Sequence, residues 1–161
     1  MDLHHPKRMK NEIIDAEEIK AIITKGNHAT IALSKDDIPY IVTLSYGFDF
    51  ENNSFYFHCA HDGDKLEYIK ENQKVCATII EDHGYLKGEC NHDYASLIIR
   101  GRMIIVEDLE EKKHGLNILL QHLEDDPDPI VRKYIKNDKS YNFVTIIKLV
   151  VDSIIGKKYI G

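Results

Sequence analysis

Residues 39–72 read PYIVTLSYGFDFENNSFYFHCAHDGDKLEYIKEN, and the fold follows from how this stretch is parsed. Tyr40 to Phe48 and Ser54 to Cys59 are strand-like runs, and Glu51-Asn52-Asn53 between them is a polar turn. A short His/Asp/Gly segment then leads into a helix from about Asp64 to Asn72, with Leu66 and Ile69 inward and Lys65 in the first turn. A β-hairpin that feeds a helix N-terminus carrying a lysine combines free N–H groups with a positive charge. That combination is a seat for a phosphate.

Upstream, residues 1–12 are polar and basic and read as a loose arm. Asp15 is the expected N-cap of a helix, with Glu18 completing a capping-box variant and Ile14 and Ile19 forming a hydrophobic staple. Ile19, Ile22 and Ile23 make its apolar stripe, and Gly26 stops it. His28 to Ser34 alternates, with Ala29, Ile31 and Leu33 on one face, and Lys35-Asp36-Asp37 turns the chain into the stretch already quoted.

Downstream, Val75 to Ile80 is a fourth strand, and the polar segment Glu81 to Asp93, with Gly84 and Gly88, reads as a long loop. Tyr94 to Val106 is the longest strand, and Gly101 in its middle marks a bulge or bend. A helix capped by Asp108 and Glu111 follows, striped by Leu116, Leu119, Leu120 and Leu123 and broken at Pro127 and Pro129. A short helix over Ile130–Ile135 and an apolar strand over Tyr141–Val151 complete the order. The expected fold is mainly β in an α+β chain: a small barrel with peripheral helices, closed to hide its strand edges.

The 161 residues suit one domain, residues 1–161, with an ordinary apolar share of 43%. No apolar run has the length of a membrane span, and the N-terminus lacks the apolar core of a secretory signal, so the expected address is the cytoplasm. A net charge of −6 argues against a nucleic-acid backbone as the main partner. The odd count of cysteines (Cys59, Cys76 and Cys90) suits free thiols in a reducing compartment.

The runs PYIVTLSYGFD, FYFHCAHDGDKLEYIKENQKVC and CNHDYASLIIRGRMIIVEDLEEKKHGLNILLQHL together resemble the pyridoxamine 5′-phosphate oxidase-related flavoproteins, and among them the nitroimidazole-resistance (Nim-type) branch. The resemblance spans roughly residues 8–160. It implies a split β-barrel binding FMN, or FAD, at the interface of a homodimer. It places Tyr40, Ile41, Val42, Thr43, Leu44 and Ser45 along the flavin ring. It puts Phe57, His58, Cys59 and Ala60 with Lys65 around the phosphate, and has Tyr94, Ser96 and Arg100 completing the site from the same or the partner subunit. One departure stands out. The oxidases proper carry an arginine immediately before the lysine, where this chain has Asp64, and the tail GKKYIG lacks their basic substrate-binding segment. The resemblance therefore implies a flavin-dependent reductase of a small aromatic or nitro compound, fed by a reduced donor, rather than a vitamin oxidase.

Each assignment has a plainer counterpart. Lys65 also suits a solvated helix face, and the alternating Tyr40, Val42 and Leu44 suit barrel core without a ligand. His28 suits an acid–base role, as its unperturbed pKa lies near neutrality, or an exposed strand end. His58, His61, Cys90 and His92 could supply metal ligands if they converged, but their spacing matches no standard zinc pattern, and no metal is assigned. Arg100 and Arg102 share a strand face and suit either the flavin or a partner's carboxylates. Besides a reductase, a flavin- or haem-binding carrier or sensor without turnover and a metal-binding stress protein are open readings. The nine histidines keep haem among the candidates.

Overall fold

A computed structural model describes residues 11–160 of the chain. The elements in order are β1 (Glu12–Ile13), α1 (Ala16–Lys25), β2 (His28–Lys35), β3 (Ile38–Asp49), β4 (Ser54–Cys59) and α2 (Asp64–Glu71). Then come β5 (Lys74–Leu86), β6 (Asn91–Val106), α3 (Leu109–Leu123), α4 (Asp128–Tyr134), a 3₁₀ turn (Asp138–Phe143) and β7 (Thr145–Tyr159). The strands pair antiparallel in the order β1-β7-β4-β3-β2-β5-β6, and β6 pairs back onto β7. Six strands thus close a barrel, and β1 is a short addition to β7. Among the described residues no helix is long and apolar enough to cross a membrane.

The split lies in β3. Its first part pairs with β2, from Ile38↔Lys35 to Ser45↔His28, while only Tyr46 to Asp49 pair with β4. The β2–β3 turn holds Asp36 and Asp37 at φ 50° and 62°, the left-handed pair a two-residue hairpin needs to match the strand twist. Alternation then fills the interior: Ile31, Leu33, Phe55, Phe57, Leu97, Ile99 and Leu149 are buried together.

The two halves of the outer surface differ. Over β4 and β7, α3 buries Tyr56 and Ile146 on the outside of the barrel. Gly47 permits this approach, since a Cβ there would lie 2.5 Å from the Ile118 carbonyl oxygen. Over β2, β5 and the first part of β3 the outer positions stay open: Ile41 is 66% and Ile80 is 61% exposed.

Several sequence expectations need correction. Of the loose arm over 1–12, residues 1–10 lie outside the described residues, and Glu12 with Ile13 forms β1 against Lys157 and Gly156. Asp15 caps α1 by accepting from the Glu17 N–H at 2.9 Å. Glu18 does not close the box, because its carboxylate takes both bonds from Lys158 at 2.7 Å. Ile14 is 87% exposed, so there is no staple; Ile13 is the buried neighbour. Segment 81–93 is not a loop: β5 and β6 continue as a hairpin with a register shift between Asp82 and Gly84. Cross-strand His83–Asp93 and His92–Asp82 bonds at 2.8 and 2.6 Å give polar residues a reason to be strand there. The last strand runs Thr145–Tyr159 rather than 141–151, because residues 138–143 wind into the 3₁₀ turn capped by Asn137. At Gly101 the register with β7 does shift, and a Cβ there would collide with the Val150 carbonyl oxygen.

Candidate functional site

The site is built on the part of β3 that has left β4. In the β2–β3 ladder Tyr40, Val42 and Leu44 face Leu33, Ile31 and Ala29, and the N–H of Tyr46 bonds to the Asn27 carbonyl. By antiparallel alternation the even positions therefore turn their backbone groups to β2, and Ile41, Thr43 and Ser45 turn theirs to the other edge. That edge has no strand partner, since the β4 ladder begins only at Tyr46. Exposed hydrogen-bonding backbone next to a closed barrel asks for a partner.

The side chains divide the same way. Tyr40, Val42 and Leu44 pack against the core, and Tyr40 also meets the Tyr68 ring of α2 at 5.1 Å. Ile41, Thr43 and Ser45 are exposed on the outer face. Across the sheet, Thr43 lies opposite Thr30, Thr30 opposite Thr78 and Thr78 opposite Ile98. Thr30 and Thr43 share a hydroxyl–hydroxyl bond of 2.9 Å. The neighbouring row runs Ile41, Ala32, Cys76, Arg100. The result is a level wall of small hydroxyl and aliphatic side chains. Thr30, Thr78 and Ile98 were legible as outer positions from the alternation of their strands, although the sequence reading named none of them.

Arg100 stands at the edge of this wall. Its Nη1 is buried and has no hydrogen-bond partner among the described residues. A buried guanidinium donor left unmade is costly, so an acceptor from beyond the described residues is called for. Ser96 and Tyr94 lie on the same face of β6, and the Lys157 ammonium stands 5.7 Å from the Tyr94 ring.

The expected anion seat lies where β4 ends. Phe57 is fully buried and serves the core, so its side chain does not reach a ligand. His58 and Ala60 are exposed and Cys59 is half-buried. Burial raises the Cys59 thiol above its ordinary pKa, and the nearby Lys65 ammonium acts in the opposite direction. Gly63 precedes α2 with φ 125° and no side chain caps the helix; the Leu66 N–H bonds the Gly63 carbonyl at 3.0 Å, which leaves those of Asp64 and Lys65 without an acceptor among the described residues. Lys65 makes no hydrogen bond or ion pair with the described residues. Asp64 in the same turn sets a negative charge beside it.

The histidines do not gather. His61 Nδ1 bonds the Thr145 hydroxyl at 2.7 Å at the start of β7, whereas His92 sits on the strand segment that faces the far end of β7. Among the described residues no three His, Cys, Asp or Glu side chains come together as a metal site. His28 is exposed at the start of β2, opposite Ser45, and no hydrogen bond or ion pair joins its ring to the described residues.

Residues 15–158 match the model of a family described as pyridoxamine 5′-phosphate oxidase. The chain belongs to the pyridoxamine 5′-phosphate oxidase family. Among solved structures it is similar to a candidate 5-nitroimidazole antibiotic resistance protein from Bacteroides thetaiotaomicron, at 28% identity, with 91% of this chain and 85% of that one covered and a TM-score of 0.76. The flavocytochrome Anf3 of Azotobacter vinelandii shares the fold at 19% identity and a TM-score of 0.83, covering all of this chain and 75% of its own. An FAD and heme binding protein from Mycobacterium smegmatis does so at 15% and 0.77, covering 94% of this chain and 74% of its own. An uncharacterized protein, RA0666, of Rhizobium meliloti is 28% identical over 90 residues, 56% of this chain; the match spans about half, 54%, of that relative's length. In the pyridoxamine 5′-phosphate oxidase family the barrel described above is the split barrel.

Proposed function

We propose that the protein is a homodimeric flavoprotein oxidoreductase that holds FMN along β3 and reduces a small aromatic or nitro compound with electrons from a reduced donor. The observation that carries this reading is the unladdered edge of β3 at Ile41, Thr43 and Ser45, lying beside the uncovered wall of β2, β5 and β6. A flat ring with a polar rim suits it. Backbone N–H and C=O groups and the Thr43 and Ser45 hydroxyls would meet the heteroatoms, and Ile41 the ring's apolar part. The Lys65 ammonium and the α2 N-terminus would balance a phosphate, with His58, Cys59 and Ala60 shaping the approach. Nη1 of Arg100 fits an acceptor brought by the flavin or by a second copy of the chain, with Tyr94 and Ser96 beside it. The same seat would serve FAD.

Other features support the reading. The residues present fit such a group with one reservation: Asp64 lowers the positive potential at Lys65, which favours a reductase over an oxidase of phosphorylated vitamers. The names of the three similar structures, a nitroimidazole-resistance candidate, a flavocytochrome and an FAD and heme binding protein, point the same way. When bound, the flavin supplies the redox chemistry, and the protein's share is binding, orientation and electrostatics. Two copies meeting through the open face would cover Ile41, Ile80 and Ile98.

A visible spectrum of the purified protein tests this first. A flavin band, with the released cofactor identified as FMN by chromatography and bleached by NADH or NADPH without oxygen, is expected. A colourless protein that takes up no added flavin overturns the reading. A carrier without turnover is the second reading, favoured by the haem-containing relatives; a flavin that neither nicotinamide bleaches, or a Soret band, would select it.

A further inference from the structure

We propose that His83 is a proton-operated clamp on the β5–β6 ribbon: its imidazolium fastens residues 83–92 to the barrel, and loss of the proton loosens them. The inference stands apart from the flavin reading and needs no cofactor.

The ribbon lies beyond the barrel and beyond the open wall. β2 pairs with β5 only as far as Thr78, and β7 pairs with β6 only as far as Tyr94. Past Tyr94 the two strands have no third neighbour among the described residues, and they pair with each other from Gly84↔Asp93 to Leu86↔Asn91. A two-stranded hairpin by itself is marginal in water. None of residues 81–93 is buried and Tyr85 is 57% exposed, so packing contributes little to its order. One side-chain bond, from Asn91 to the Tyr159 hydroxyl at 3.0 Å, ties it to β7. At the root of the ribbon His83 is the extra residue of the bulge, since Asp82 faces Tyr94 and Gly84 faces Asp93.

The two histidines near that root differ in what they ask of a proton. Asp82 accepts from the Gly84 N–H at 2.8 Å and meets His92 Nε2 at 2.6 Å. A neutral ring with its proton on Nε2 supplies that bond. His83 instead has a carboxylate at each nitrogen: Asp93 on β6 at 2.8 Å from Nδ1, and Glu81 on β5 at 3.5 Å from Nε2. Only the imidazolium carries both N–H groups. A neutral ring keeps one of them, as a weaker neutral donor, and turns a lone pair toward the other carboxylate. It also leaves Glu81, Asp82 and Asp93 around the bulge with one cation fewer. From α1, Lys25 reaches Glu81 at 3.3 Å, while Lys158 of β7 is taken by Glu18. The bond to Asp93, with help from Glu81, raises the His83 pKa above its ordinary 6.5. A group raised on folding stabilises below its unfolded pKa and loses that contribution as pH rises through the folded value. The ribbon is therefore held on the acid side and loosens as pH rises. Loosening opens the cleft of about 200 Å³ that His83 and Glu81 share with Lys25, Tyr94 and Lys158.

The test reads amide hydrogen-exchange protection, corrected for intrinsic rate, in the whole protein at about pH 5.5 and about pH 9, on either side of the histidine range. Protection over residues 83–92 is expected to fall about three- to fivefold at the higher pH, the size of one exposed ion pair, while Phe55 to Phe57 in β4 keep theirs. H83R, with a fixed cation, should hold the ribbon protected at both values, and H83Q should leave it loose at both. H92Q should lower protection yet retain the pH dependence. Unchanged protection in the wild type, an equal fall across the whole barrel, or a pH dependence that survives in H83Q or H83R or disappears in H92Q would each overturn the proposal.

Discussion

His114 on α3 and Asp49 at the end of β3 meet through Nε2 and Oδ2 at 2.6 Å, fixing the helix to the barrel across 65 residues of sequence. Asp49 is only 4% exposed. Its other bonds are local: the Asn52 side chain at 2.7 Å, and the N–H groups of Glu51 and Asn52 at 3.0 and 3.1 Å. One carboxylate thus closes the β3–β4 turn and docks α3 over Tyr56.

That carboxylate makes stability depend on acid. Burial by itself would raise its pKa, but the bonds from Asn52 and His114 together outweigh burial and lower it from 3.8 to about 2. A group lowered on folding stabilises the fold fully above its unfolded pKa and loses that contribution as pH falls through the folded value. The window is therefore about pH 4 down to about pH 2, and the contribution is about 2 kcal/mol. Urea unfolding of the wild type and D49N across this window measures it. The gap between them is expected to narrow toward pH 2, and parallel curves would remove Asp49 from the account.

Gly47 makes the second half of the same joint. Its missing side chain lets the α3 backbone approach, with the Ile118 carbonyl oxygen 2.5 Å and the Leu119 Cα 2.6 Å from where a Cβ would stand. Both obstacles are backbone, so G47A must displace the helix. The expected loss is about 1–3 kcal/mol of unfolding free energy, the usual cost of overpacking. An unchanged urea midpoint would mean that α3 is not seated as described.

The barrel was legible because β2 and the middle of β6 alternate, and the β3 stretch because Ile41, Thr43 and Ser45 interleave with Tyr40, Val42 and Leu44. The extension of β5 was not. Its bulge between Asp82 and Gly84 breaks the period, and its side chains are polar on both faces because His83–Asp93 and His92–Asp82 pairs replace burial as the adhesive. The split itself came from the resemblance and from no local pattern. Which edge of β3 lacks a ladder depends on where β4 ends and turns into α2, a tertiary fact that no local pattern carries. Phe57, which the resemblance sets beside the phosphate, has its side chain directed into the core by strand alternation.

The open wall makes a prediction about assembly. Ile41 is 66% exposed on the outer sheet face, in the row that ends at Arg100, and belongs to no buried core cluster that a substitution would unsettle. I41E puts a carboxylate there. If two copies meet through this face, sedimentation should show the wild-type dimer become a monomer, with far-UV circular dichroism unchanged and flavin retention reduced at least about tenfold, as expected when a charge is buried unpaired at an interface. A dimer that survives I41E places the contact elsewhere.

Lys65 and Asp64 provide the sharpest test of the anion seat, because they oppose each other within one turn. The Lys65 ammonium has no acceptor among the described residues, and α2 begins without a side-chain cap. K65A should therefore cost the fold little and the flavin much, at least about tenfold in affinity, the value of one charge-assisted hydrogen bond. D64N removes the charge that works against the phosphate, and should tighten flavin binding by about two- to fivefold, the range of a charge near a helix N-terminus. Both effects should shrink as salt rises, since Asp64 is exposed and Lys65 half-buried. Flavin fluorescence titration at low and high ionic strength reads all three. Wild-type affinity in K65A would move the phosphate away from α2. Weaker binding in D64N would show that this carboxylate holds the loop before the helix rather than opposing the ligand.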